Sequence, residues 1–209
     1  MPRKLILATG LCLAAGLCYA LVARPWFLKW GATSFEVVKP LPGDELLPKA
    51  RASATRAITI QAPPSRVWPW IAQIGQGKGG FYSYTWLENL FGCQIVNANR
   101  IHPEWQNVKA GDSVRLHPGM APIPVTLVEP ERALILGGMA RTDRHIPPVT
   151  WAFVLERAPG NATRLLIRWR AQPSASITDQ ILNQYLIEPI HFIMERRMML
   201  GIRERAEAL

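Results

Sequence analysis

The sequence predicts an α+β fold. An antiparallel sheet wraps around a long C-terminal helix, two short helices follow the first strand, and one N-terminal transmembrane helix precedes it all. Three observations predict this. Thr55–Gln61 alternates as a half-buried strand and runs into two short helical segments rich in tryptophan. Alternating segments then recur from Ser113 to Ala171, joined by Gly, Pro and Asn as a meander of hairpins requires. From Ile177 to Ala208 the period becomes helical.

The run Leu5–Ala23 carries no charge. At about 1.5 Å per residue it spans roughly the 30 Å hydrocarbon core. Arg3 and Lys4 precede it, Arg24 and Lys29 follow, and Trp26 and Trp30 fall at interfacial depth. The rival is a cleaved signal peptide, but the run is long for one. Leu21 also stands where cleavage before Arg24 wants a small residue. Leu11 and Leu17, before Cys12 and Cys18, likewise speak against a lipoprotein signal. Arg3, Lys4 and the amino terminus narrowly outweigh Arg24 and Lys29, which puts the N-terminus in the cytoplasm and the domain across the membrane. The expected organisation is a membrane anchor over 1–30, a proline-rich linker over 31–53, and a folded domain over 54–209. Pro40, Pro42 and Pro48 exclude regular helix through the linker.

In the domain, Arg56, Ile58 and Ile60 alternate against Thr55, Ala57 and Thr59. Pro63 and Pro64 end this strand and suit a helix's first turn. Val67, Trp68, Trp70, Ile71 and Ile74 repeat at helical spacing, with Pro69 tolerable only near the helix start. Gly75–Gly80 reads GQGKGG. It departs from the P-loop pattern and joins helix to helix, so it is a turn needing positive φ. Tyr84–Phe91 forms the second short helix. Strands are expected at Ser113–His117, Pro124–Val128, Arg132–Leu136, Val149–Arg157 and Thr163–Ala171. Leu165, Ile167 and Trp169 share one face of the last, with Arg164, Arg168 and Arg170 opposite, so one sheet face is covered and the other wet. Ile177, Ile181, Tyr185, Ile193 and Leu200 form an apolar stripe with Leu182, Leu186, Ile190, Met194 and Ile202, which must bury itself on the sheet's concave face. Pro189 should kink or split that helix.

Composition excludes several classes. With 49% hydrophobic residues in 209, the chain is globular or membrane-attached. Two of its three cysteines lie in the apolar run, which leaves no disulfide framework. The net charge is +9, of which Arg3, Lys4, Arg24 and Lys29 supply +4. The rest is scattered without a basic block, which argues against a nucleic-acid surface and suits a weak preference for anionic lipid headgroups. No nucleophile, metal or nucleotide motif appears, so neither cofactor nor metal is expected. Cys93 lacks a basic neighbour in sequence and reads as an inert thiol.

The wording of several segments resembles one family. TRAITIQAPPSRVWPWIAQIGQGKGGFYSYTWLENLFG is similar to the START-like, or helix-grip, superfamily. Trp30–Thr33, Leu41–Leu46, Gly79–Tyr84, Asn97–Gln106 and Ile187–Leu200 resemble membrane-anchored members of its bacterial SRPBCC group, the polyketide cyclase/dehydrase and lipid-transport proteins. The resemblance covers about residues 26–209. It implies a helix-grip fold, a deep apolar cavity between sheet and long helix, a hydrophobic small molecule or lipid as ligand, and a bacterial inner-membrane location. It carries over no catalytic set, and shape alone does not settle function. The alternatives are a cyclase/dehydratase on a polyketide-like substrate and a non-catalytic interaction domain of a membrane assembly.

Three groups of side chains are cavity candidates. Tyr82, Tyr84, Trp86 and Glu88 bring apolar area with polar tips, suited to a cavity mouth or simply to helix packing. Asn97, Asn99, Arg100, His102, Glu104 and Trp105 form a polar loop. It can hold a headgroup, perform acid–base chemistry, or bond its own backbone. Glu188, His191 and Glu195 share one helix face and offer a polar lining or surface salt bridges. Trp151, on an inward-facing strand position, completes the set.

Overall fold

The computed structural model describes residues 11, 14–138, 148–172, 174 and 176–208. Its centre is a six-stranded antiparallel sheet in the order β1-β6-β5-β4-β3-β2. The strands are β1 (Ala52–Ile60), β2 (Ser113–Val114), β3 (Ile123–Glu129), β4 (Ala133–Gly138), β5 (Val149–Ala158) and β6 (Ala162–Ala171). Only β1 leaves sequence order, pairing with β6 from Ala52↔Ala171 to Ile60↔Thr163.

Six helices are described. They are α1 (Arg24–Leu28), α2 (Ser34–Val38), α3 (Pro64–Ala72), α4 (Thr85–Leu90), α5 (Ile177–Leu182) and α6 (Glu188–Glu207). Residues 14–18 are helical and reach α1 through a π turn, Tyr19–Ala23. No described helix is long and apolar enough to cross a membrane. The predicted anchor Leu5–Ala23 falls in part on residues 1–10, 12 and 13, outside the described residues. Pro69 sits inside α3 without ending it, and Gly75–Gly80 is a tight turn closed by paired backbone hydrogen bonds of 3.0 Å.

The main core lies on the concave face. Ile58, Ile60, Phe153, Leu165 and Ile167 from the sheet meet Trp70 and Ile71 of α3 and Met199 and Ile202 of α6. The outer face differs from the expectation of a wet surface. Residues 31–50 are not an irregular tether: they fold as a strap across it. Thr33 and Glu36 form a capping box that starts α2 despite the prolines that follow. Leu41 is buried with Ala57, Ile135, Val154 and Leu166 in a second core. The outward arginines are the strap's fasteners. Arg164 pairs with Glu36 at 2.7 Å, and Arg168 with Asp44 at 2.6 Å and with the Glu36 and Val37 carbonyls. The Arg164 guanidinium holds the Glu36 carboxyl down at about 2. Gly31 enters the strap at φ +71, and a Cβ there would stand 2.1 Å from the Ala57 carbonyl oxygen.

The C-terminal helix is split beside Pro189 as expected, but its buried face differs from the expected stripe. It is interrupted by a π turn at Asn183–Ile187, immediately before Pro189. A proline leaves the preceding turn one donor short, and the wider i→i+5 turn accommodates the loss. Behind the break α6 buries Phe192, Glu195, Met198, Met199, Ile202 and Ala206, while Ile193 is 48% exposed. Ile202 of the predicted stripe is buried, but Ile193 is turned outward and Glu195 faces inward. Ahead of the break Ile177 is 74% and Ile181 55% exposed, so this half of the stripe is not seated on the sheet.

Candidate functional site: a cavity between sheet and helix

Because α5 and the π turn stand away from the sheet, a cavity of about 750 Å³ opens beneath them. Its floor is Trp151 and Trp169 from β5 and β6, and one wall is His191, Met194, Glu195 and Met198 of α6. Phe81, Ser83, Glu88, Cys93 and Ile95 close one end, and Asn183, Ile187 and Glu188 border the other. By area the lining is predominantly apolar, as small-molecule sites are built, with polar side chains contributed by Gln172, Ser174, α5, the π turn and α6.

Asp179 accepts from Ser174 Oγ at 2.8 Å, and four further ionisable groups are held in different ways. Glu195 is 1% exposed at its side chain and pairs with Arg56, also 1% exposed. Its other oxygen accepts from Trp151 Nε1 at 2.9 Å, and Arg56 Nε donates to the Phe27 carbonyl at 2.8 Å. His191 Nε2 lies 3.6 Å from Glu195 Oε1, between the rings of Trp151 and Trp169. Burial pushes its imidazole below the ordinary value, against the opposing pull of Glu195, which leaves the ring neutral near pH 7. Glu188 accepts from Arg24 Nε at 2.8 Å and NH2 at 3.1 Å. This tie fastens α1 to the start of α6, beside Phe27 stacked on Phe192 at 5.4 Å.

Glu88 is the exception. It is 3% exposed, and its Oε2 has no hydrogen-bond partner among the described residues. Burial alone pushes its carboxyl up to about 7. Nearby Cys93 is raised by burial first and by the Glu88 charge second, away from thiolate reactivity.

Of the sequence candidates, Glu88, Trp151, Glu188, His191 and Glu195 line this cavity. The others stand elsewhere. Tyr82 is 1% exposed; its hydroxyl donates to the Trp70 carbonyl at 3.0 Å, and its ring lies under Arg205. Tyr84 caps the start of α4, half-buried, and Trp86 is 69% exposed. Asn97 is a backbone clamp, accepting from the amides of Phe81 and Tyr82 and donating to Ser83 and Thr85. Asn99 accepts from Arg205, and Arg100 offers its carbonyl to the buried Gln73. His102 stacks on Trp105 at 4.1 Å and meets Glu104 at 3.1 Å, and none of the three lines the cavity. Arg56 and Arg24 enter the site unforeseen. The signal for Arg56 was its place on the apolar face of its strand, where a guanidinium needs an anion.

No family model matches the chain, and no curated protein matches it. Among solved structures it is similar to protein MLL2253 from Mesorhizobium loti, at 13% identity over 75% of this chain and 98% of that one, with a TM-score of 0.44. It is also similar to CalU16 from Micromonospora echinospora, at 18% identity over 75% and 84%, with a TM-score of 0.36. A third is the Aha1 dimer from Colwellia psychrerythraea, at 13% identity over 75% and 96%, with a TM-score of 0.42. The strand order, the paired helices after β1 and the long helix across the concave face themselves make this the helix-grip arrangement implied by the sequence's resemblance to the SRPBCC superfamily.

Proposed function

We propose that this chain is a membrane-anchored domain that binds or carries a hydrophobic small molecule or lipid in its internal cavity. The observation that carries the reading is the apolar cavity of about 750 Å³ in a domain otherwise packed on both faces of its sheet. A cavity of that size is seldom left in a core that has no ligand to hold. The exposed apolar residues Leu182 of α5 and Ile187 of the π turn line it and suit a lipid-facing mouth. The Arg24–Glu188 pair supports a role for the N-terminal helix in holding that mouth beside the anchor.

A second reading, a cyclase/dehydratase-type enzyme, draws on one observation. The neutral His191 imidazole beside Glu195 faces the cavity and can relay a proton to a bound carbonyl compound. The interaction-domain reading expects a filled core, which the cavity opposes.

Native mass spectrometry of the full chain, followed by solvent extraction, tests the carrier reading. A stoichiometric lipophile is the expected result. An apo mass together with no uptake of the neutral dye Nile red would overturn it.

A further inference from the structure

We infer that Glu88 is the polar anchor of the cavity and that the ligand is a lipophile ending in a hydrogen-bond donor, an alcohol or an amine, and not in a carboxylate. This rests on the carrier reading. Glu88 lines the cavity at the end formed by Phe81, Cys93 and Ile95. Its Oε2 is buried and unpartnered, whereas Glu188 and Glu195 already accept from Arg24, Arg56 and Trp151. Leaving a buried carboxyl oxygen unpaired is costly, and a site that leaves one so is complementary to a donor. Oε2 itself has almost no open surface, so a ligand hydroxyl or ammonium satisfies it once the carboxyl turns toward the cavity that Glu88 lines, and the apolar walls take the chain.

The same lining opposes an anion. Among the described lining residues Arg24 is engaged by Glu188, and His191 is held neutral by burial. A carboxylate brought to this end would meet Glu88 without a free cation among the described lining residues to compensate it. The carboxyl value near 7 fits the assignment, because a proton shared with an alcohol and a negative charge facing an ammonium are both within reach at neutral pH.

The test uses the full chain and three probes of one alkyl length, dodecanol, dodecylamine and dodecanoate, each competing with Nile red at neutral pH. The alcohol and the amine should bind at least about tenfold more tightly than the carboxylate, the size of one satisfied buried hydrogen bond. In Glu88→Leu that preference should collapse to within about twofold while Nile red affinity persists. Persistent dye affinity also reports that the variant is folded. Equal binding of the three probes by the native chain, or a preference that survives Glu88→Leu, overturns the assignment and leaves the carrier reading intact. Failure of the native chain to bind the dye and all three probes overturns both.

Discussion

Arg56 alternates onto the same strand face as Ile58 and Ile60, and a guanidinium placed there must find an anion. It finds Glu195, and that need sets which side of α6 turns inward. Removing one partner leaves the other charged and buried. Arg56→Met or Glu195→Gln should each lower stability by about 3–5 kcal/mol, and the double variant should recover most of that loss. Urea denaturation measures it. Single costs below about 1 kcal/mol would show that the pair is solvated. Glu88 makes the opposite prediction. Its folded carboxyl titrates at about 7 against an ordinary 4.5, so the folded state holds a proton that the unfolded chain has released between those values. Native stability should therefore fall as pH rises from 4.5 to 7 and level off above. Glu88→Gln should raise Tm near pH 8, by at most about 3 kcal/mol of stability, and leave it unchanged near pH 4. A gain independent of pH would contradict the assigned burial.

At the scale of elements, α6 is seated by a close approach. A Cβ on Gly201 would lie 2.3 Å from the Tyr82 carbonyl oxygen and 2.9 Å from the Tyr82 Cβ. Helix propensity favours alanine there by about 1 kcal/mol. The contact with backbone should win, so Gly201→Ala is expected to destabilise by about 1–3 kcal/mol, read by thermal unfolding. A stabilised variant would mean that α6 does not rest on Tyr82. The sequence displayed the period of this helix but not its phase. Apolar spacing pointed to Ile193 and Leu200 as well as to Met194 and Ile202; the last two turn inward with Glu195, whose partner lies 139 residues away in the chain. The strap was hidden for a related reason. Its prolines correctly exclude a long helix, yet Thr33 and Glu36 still start a short one, and its hold comes from arginines on β6 that read as a wet face.

For the whole molecule, the N-terminal segment is both a proposed anchor and part of the domain's packing. Phe27 is 4% exposed, stacks on Phe192, and gives its carbonyl to Arg56. The full chain should stay with membranes through an alkaline carbonate wash. A chain beginning at Gly31 should be released and should unfold more readily, because Arg56 and Glu188 lose their outer partners. Release of the full chain by carbonate would remove the anchor from the proposal, without touching the cavity.

The sequence by itself determined the element order, the antiparallel sheet, the helix-grip likeness and the positions of Glu88, Trp151, Glu188, His191 and Glu195 on elements that can face a cavity. These follow from local periodicity and turn chemistry, which neighbouring residues specify. Only the tertiary structure decided that the polar loop of Asn97–Trp105 clamps backbone away from the cavity, that α5 stands off the sheet, and that Glu88 is buried without a partner. Each depends on contacts between distant segments, and burial of a charge cannot be read from the residues beside it.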